Sequence, residues 1–294
     1  MNNSFPLIIF GEVLYDCFPQ GESVLGGAPF NVAWHCQAFG MKPLLISRIG
    51  DDLLGKNVIN SMQDWGMKTE GLQIDPEHAT GKVNVSFNNN EPEYEIIENS
   101  AWDFINPDNI PELNKNSILY HGTLALRNLE STQCLAEIKQ NISPSTFVDI
   151  NLRAPWWNIS HITDYMNGSK WLKINEDELN IIMPQHDDIK NKAQQLKEKF
   201  NLELIVVTQG ASGAFALNKE GFYQVTPEYN DNIVDTVGAG DAFTSVLLLG
   251  LYKLWSVEKT MKCAQKFASQ VVGLRGATTK DSEFYKPFIA NWGL

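Results

Sequence analysis

Cysteine is scarce and scattered. Cys17, Cys36, Cys134 and Cys263 form no Cys-x-x-Cys pair, so they read as buried free thiols in a reducing compartment rather than as a disulfide framework. Long apolar runs are missing too. No stretch approaches 18 apolar residues, so no membrane span is expected. The apolar stretch Phe5 to Phe10 is too short for a signal-peptide core and lacks a basic start, which leaves a cytoplasmic location as the expectation. Positive charge is in deficit: 23 Lys and Arg against 35 Asp and Glu give a formal net charge of −12. Nucleic acid and anionic membranes both demand clustered basic residues, so neither is expected as a partner. A phosphorylated ligand stays open, because a helix N-terminus or a metal ion holds an anion locally. There is no internal repeat, low-complexity tract or linker.

What the chain does contain is an ordinary globular composition, 43% hydrophobic and 20% charged over 294 residues, enough to bury a large core. Leu7 to Phe10 reads as a buried strand. Gly26-Gly27-Ala28-Pro29 introduces a helix over Phe30 to Phe39, Leu44 to Ile49 is a second strand, and Gly50-Asp51-Asp52 caps a helix to Trp65. This alternation returns after Ile118 and predicts a sheet covered by helices, with ligands beyond the C-terminal ends of its strands. Residues 71 to 98 interrupt it. Val83, Val85 and Phe87 alternate with polar residues, and Tyr94, Ile96 and Ile97 follow a turn around Asn88-Asn89-Asn90. Period-two alternation predicts a small antiparallel sheet standing off the body as a lid.

One stretch organises the rest. Ala242 to Tyr252 is small and apolar and reads as a buried helix, whereas Asp231 to Val234 is loop or strand end. Gly238, Ala239 and Gly240 therefore sit where a loop becomes a helix. Unpaired N–H groups and the positive end of the helix dipole attract an anion there, and glycine lets it approach. Asp241 follows in the first turn. It has two readings: a first-turn acid that stabilises its helix, or a general base beside a phosphoryl group.

Two distant stretches now point one way. Gly26-Gly27-Ala28-Pro29-Phe30-Asn31-Val32-Ala33 resembles the first signature of the ribokinase/fructokinase family of sugar kinases, the PfkB family. Asp235-Thr236-Val237-Gly238-Ala239-Gly240-Asp241-Ala242-Phe243 resembles its second. Gly50-Asp51-Asp52-x-x-Gly55, Asn175-Glu176-x-Glu178 and Thr208-x-Gly210-x-x-Gly213 extend the resemblance over nearly the whole chain. Three further segments resemble the fructokinase branch: Gly11-Glu12-Val13-Leu14-Tyr15-Asp16, His121-Gly122-Thr123-Leu124-Ala125-Leu126, and Asp149-Ile150-Asn151-Leu152-Arg153 with Trp156-Trp157. The second of these is one residue short, and Ile150 stands where the third has proline.

The resemblance implies a single ribokinase-like α/β domain over 1–294, a doubly wound sheet with a β-sheet lid from about 12–24 and 71–98, and ATP-dependent phosphorylation of a sugar hydroxyl. It implies that Asp241 takes the proton while the N–H groups of Gly238, Ala239 and Gly240 receive the charge. Asp16, Gly26, Gly27, Asn31, Arg153 and Asp241 would hold the sugar, with Arg153 also bridging to the transferred phosphoryl and Trp102 over the sugar's apolar face. Asn175, Thr208, Gly210, Gly213, Gly238, Gly240 and Gln265 would hold ATP, and Phe267 would flank adenine. Glu178 would hold Mg²⁺ through water, although Asn175-x-x-Glu178 also fits a capping box. Asp235 with the carbonyls of Val237, Val271 and Gly276 matches a monovalent-cation site for K⁺. A homodimer through the lid is expected. Fructose is the expected sugar and 2-keto-3-deoxygluconate the alternative. A sugar-binding regulator without catalysis is the reading from another class.

Overall fold

The computed structural model describes residues 6–88, 91–185, 187–227 and 234–294. Phe5, the turn at Asn89 and Asn90, and Asp231 to Ile233 lie outside the described residues. In chain order the elements begin with β1 (Leu7–Phe10), β2 (Leu14–Cys17), β3 (Ser23–Gly26), α1 (Ala28–Ala38), β4 (Leu44–Gly50), α2 (Leu53–Asp64), β5 (Leu72–Asp75), β6 (Gly81–Asn88) and β7 (Glu91–Ile96). There follow β8 (Ile118–His121), α3 (Leu129–Ile142), β9 (Ser145–Asp149), α4 (Ile159–Met166), β10 (Trp171–Asn175), α5 (Glu176–Ile182) and α6 (Ile189–Lys199). The chain closes with β11 (Leu204–Thr208), β12 (Ala214–Asn218), β13 (Gly221–Val225), α7 (Ala239–Tyr252), α8 (Val257–Val271) and α9 (Ser282–Trp292).

Among the described residues, nine strands form the main sheet in the order β13-β12-β11-β10-β9-β8-β1-β4-β5. From β5 to β11 every pairing is parallel, and β12 and β13 add an antiparallel edge. Helices cover both faces, so the central strands read as continuous apolar runs: all four residues of β1 and of β8 are buried. Residues Ala242 to Gly250 of α7 are buried. Gly250 lies where α8 crosses, since a Cβ there would come within 2.2 Å of the Thr260 hydroxyl.

The second sheet is small and separate, ordered β3-β2-β6-β7. Two expectations are corrected here. Leu72–Asp75 was expected in the small sheet but pairs in parallel with β4 and forms the edge of the main one. The small sheet is also not wholly antiparallel: β2 and β6 pair in parallel, with Asp16 opposite Val83. The chain between them passes through the main sheet, and such a crossover returns a strand in the same direction. The registers Asp16↔Val24, Asp16↔Val83 and Val85↔Tyr94 place these side chains on one face, whereas Lys82 and Asn84 point to the other.

Candidate active site

The site is built at the head of α7. Gly238 caps the helix with φ +80°, a conformation that glycine adopts without strain. A Cβ there would also lie 2.3 Å from the Ala277 Cβ, so Gly238 is required by both backbone and neighbour. Ala239, Gly240 and Asp241 occupy the first turn, where backbone N–H groups have no partner inside the helix. Asp241 is half-buried, and its Oδ2 accepts a 2.8 Å hydrogen bond from Asn31 Nδ2 of α1. Burial pushes its carboxyl up to about 6. The Asn31 hydrogen bond opposes this, Asp149 adds to it, and Lys173 and Arg153 oppose it.

Beneath the turn lies a buried ionic layer that sequence reasoning missed. Lys173 Nζ stands 2.9 and 2.8 Å from the two Asp149 oxygens. The Thr244 hydroxyl is 2.9 Å from both Asp149 Oδ2 and the Gly240 carbonyl. A Cβ on Gly240 would sit 3.7 Å from Lys173 Nζ, so the ammonium lies directly under the Gly238–Gly240 turn. Burial works against the Lys173 charge, but Asp149 outweighs it and the pKa is raised. The available signal was a lysine inside an otherwise apolar strand, Trp171-Leu172-Lys173-Ile174. Such a residue is rarely tolerated without a buried partner.

On the other side of Asp241 the expected sugar-facing residues meet. Gly26 is 3.4 Å from Asp16 Oδ2 and 3.9 Å from Asn31 Oδ1, measured from where its Cβ would stand. Gly27 has φ +105°, and a Cβ would strike the Glu12 carbonyl at 2.7 Å. Asp16 sits within β2 of the small sheet, inside the stretch expected to form the lid. Burial raises its carboxyl to about 6, with Arg153 opposing and Asp235 adding. Arg153 is exposed in the loop after β9 and acts on Glu12, Asp16 and Asp241 alike. Glu12 was not anticipated. It is 3% exposed, and burial raises it to about 7. Among the described residues its Oε2 and Asn31 Oδ1 have no hydrogen-bond partner.

Trp102 does not line this space. Its ring is fully buried under the Arg127 guanidinium, 4.2 Å away, and Trp156 lies 4.5 Å from the same cation. Asp103 pairs with Arg127 at 2.7 Å. Trp102 is thus a packing residue, because a cation–π sandwich has claimed its face. An aromatic that does share a face with Asp16 is Tyr94, 55% exposed on β7. Partial burial and then Asp16 and Asp235 raise its hydroxyl pKa, and Arg153 opposes them.

The expected nucleotide side lies at the ends of β10 and β11, where Asn175 and Thr208 are register partners. The capping box at α5 is real. Asn175 Oδ1 accepts from Glu178 N–H at 2.9 Å, and Glu178 Oε2 accepts from Asn175 N–H at 2.9 Å. Glu178 Oε1 also accepts from Leu152 N–H at 2.7 Å, tying α5 to the loop that carries Arg153. Gly210 and Gly213 have φ +52° and +94° around a tight turn, and Gln209 Nε2 donates to Glu176 at 3.0 Å. Gln265 is half-buried on α8, 3.2 Å from Ser269 Oγ. Phe267 is buried among Phe39, Tyr285 and Phe288 and does not face a ligand.

Asp235, Val237 and Gly276 also converge. The Asp235 carboxylate accepts from Val237 N–H at 2.9 Å and Gly276 N–H at 3.3 Å. Val271 is less suited to the cation set than expected: its side chain is core and its carbonyl accepts from Leu274 N–H at 2.9 Å. The neighbouring Val272 carbonyl faces the segment, receiving the N–H groups of Val234 and Asp235.

With this geometry in place, the profile of the pfkB family carbohydrate kinases matches residues 11–283. The chain belongs to the PfkB family of carbohydrate kinases. A sugar kinase of Pyrococcus horikoshii is 28% identical over 97% of both chains. Its crystal structure in complex with ATP superposes at TM-score 0.79 and 26% identity, covering 95% of this chain and 97% of that one. A fructokinase of Vibrio alginolyticus is 28% identical over 89% of each chain. A fructokinase from Vibrio cholerae, solved with fructose, ADP and potassium bound, matches in fold at TM-score 0.83 and 23% identity, covering 97% of this chain and 99% of that one. The fold of this PfkB kinase is ribokinase-like, and its activity is phosphoryl transfer to a sugar. Among the described residues, no helix is long and apolar enough to cross a membrane.

Proposed function

We propose that this PfkB kinase uses ATP to phosphorylate fructose at its primary 6-hydroxyl. The observation that carries the proposal is Asp241: a carboxylate in the first turn of α7, held by Asn31 at 2.8 Å, beside an N–H-lined turn that has Lys173 beneath it. Asp241 takes the proton of the attacking hydroxyl. The N–H groups of Gly238, Ala239 and Gly240 receive the charge that develops on the transferring phosphoryl, above the buried Lys173–Asp149 pair. Arg153 joins the sugar to the phosphoryl. Asp16, Asn31, Gly26 and Gly27 hold the sugar hydroxyls, and the small sheet is the lid that excludes water.

The ATP phosphates meet Thr208, Gly210, Gly213 and Asn175, and Gln265 stands toward the adenine. Magnesium neutralises those phosphates when bound, and Glu178 with Asn175 would hold it through waters. The residues fit that task. Each Glu178 oxygen accepts one N–H in the structure and keeps acceptor capacity for water. A phosphate-bound Mg²⁺ needs no protein cage. A monovalent cation, K⁺, would be held by the Asp235 carboxylate with the carbonyls of Val237 and Gly276, where it would polarise the turn from behind. The small sheet is also the proposed contact with a second copy of the chain.

A neutral sugar is favoured over 2-keto-3-deoxygluconate because Lys82 lies on the opposite face of the small sheet from Asp16. The cation acting on Asp16 is Arg153. ADP release across neutral and acidic sugars, with the phosphorylated position read by NMR, tests the reading. It fails if the acidic sugar has the higher kcat/KM. Calorimetric sugar binding without any product would identify a regulator instead.

A further inference from the structure

Asn31 and His35 stand four residues apart in α1, on one face of the helix. Asn31 reaches Asp241. His35 reaches the loop that supports the other end of the same turn. It is fully buried, with Nε2 3.0 Å from the Ala277 carbonyl and Nδ1 3.0 Å from the Tyr285 hydroxyl. A carbonyl only accepts, so Nε2 carries the proton and Nδ1 accepts from Tyr285. Ala277 in turn lies against Gly238: its Cβ and Cα would be 2.3 and 2.5 Å from a Cβ placed there. One residue earlier in α1, Trp34 Nε1 donates to the Thr279 carbonyl at 2.9 Å. The Cys36 thiol meets the Ser245 carbonyl of α7 at 3.8 Å.

We propose that His35 is a positioning residue for phosphoryl transfer: its bond to Ala277 fixes the floor on which Gly238 rests, so that α1 sets both ends of the segment 238–241. Asn31 orients the carboxylate and His35 orients the N–H-lined turn. Both are referenced to one rigid helix, so the distance between base and anion site is held by α1 as well as by α7. His35 lies one turn beyond Asn31 and two beyond Gly27, and its own bonds go to Ala277 and Tyr285 rather than to a sugar-facing group. Its loss is therefore expected to reduce turnover and spare sugar binding. Leucine fills the volume but makes no bond. Glutamine restores a donor for the Ala277 carbonyl. This inference rests on the kinase reading, and the test separates the two.

The variants are His35→Leu, His35→Gln and Tyr285→Phe. Three measurements apply: kcat with the sugar that the wild type turns over fastest, calorimetric affinity for that sugar, and amide hydrogen exchange of peptides covering 234–241 and 275–279. His35→Leu should lower kcat by on the order of 10- to 100-fold with sugar affinity within about twofold, as expected of a misplaced transition-state donor. Exchange should rise in both peptides. His35→Gln should recover most of the loss and the protection. Tyr285→Phe should retain near wild-type kcat, because the Nε2 bond survives it. The proposal is overturned if His35→Leu leaves exchange unchanged in both peptides. It is equally overturned if kcat and sugar affinity fall together, or if glutamine is no better than leucine. A wild type without phosphorylation of any sugar would sink the kinase reading alone, and the exchange data would still decide the role of His35.

Discussion

Replacing Asp241 by asparagine removes the proposed base while disturbing little else. The Asn31 Nδ2 donor, 2.8 Å from Asp241 Oδ2, finds the asparagine carbonyl in the same place, so α1 and α7 stay tied. The side chain stays the same size, and the turn of Gly238, Ala239 and Gly240 is untouched. What disappears is the ability to accept the hydroxyl proton as the phosphoryl moves. A general base contributes roughly 10²–10⁴-fold, equivalent to about 3–5 kcal/mol of barrier at 1.36 kcal/mol per tenfold. Turnover should fall by that factor in a coupled ADP-release assay, with sugar affinity by calorimetry changed by no more than about threefold, because one acceptor oxygen remains. The wild-type pH profile supplies the second half of the test. Burial raises Asp241 of the free enzyme to about 6, so kcat/KM should decline with a slope of one proton as pH drops through that value. The asparagine variant should lack this limb. Near wild-type turnover in Asp241→Asn, or an acid limb that survives the substitution, would refute the assignment.

Other perturbations have equally definite outcomes. Gly238→Ala should cost about 1–3 kcal/mol through its positive φ and its collision with Ala277, lowering kcat while sugar binding persists; an unaffected kcat would deny the turn its role. Trp102→Ala should destabilise the fold by about 3–5 kcal/mol in denaturant titrations, whereas Trp102→Phe should leave sugar affinity near wild type; a selective loss of affinity would return Trp102 to the sugar. Glu12 is raised from its ordinary 4.5 to about 7, so its protonated form favours folding. That stabilisation is fully present below pH 4.5 and is lost as pH rises through 7. Glu12→Gln should therefore gain on the wild type by up to about 3 kcal/mol above pH 7 and by nothing below pH 4.5; melting curves whose difference is independent of pH would refute this.

The alternation of strands and helices was legible because parallel strands buried on both faces read as apolar runs, as Leu7–Phe10 and Leu204–Thr208 do. The small sheet was legible from period-two alternation at Val83 and Val85. Its boundary was not, since Leu72–Asp75 is too short to declare which sheet it joins. Trp102 and Phe267 were misread for one reason. An aromatic near a motif looks the same in sequence whether it faces a ligand or a neighbour, and here Arg127 and a cluster of rings fill that space. Asn175-x-x-Glu178 fitted two readings in the sequence, and the structure shows the capping box with a third bond to Leu152.

By itself the sequence determined the family and the place of the glycine turn at the head of α7. Glycine spacing, and the small apolar residues after it, act through backbone sterics and helix termini, which are local. Only the tertiary structure decided what surrounds that turn. Asn31 and Asp241 are 210 residues apart, and Asp149, Lys173 and Thr244 come from two strands and a helix. The basicity of a carboxylate follows from burial and from charges through space, and neither is set by the residues next to it in the chain.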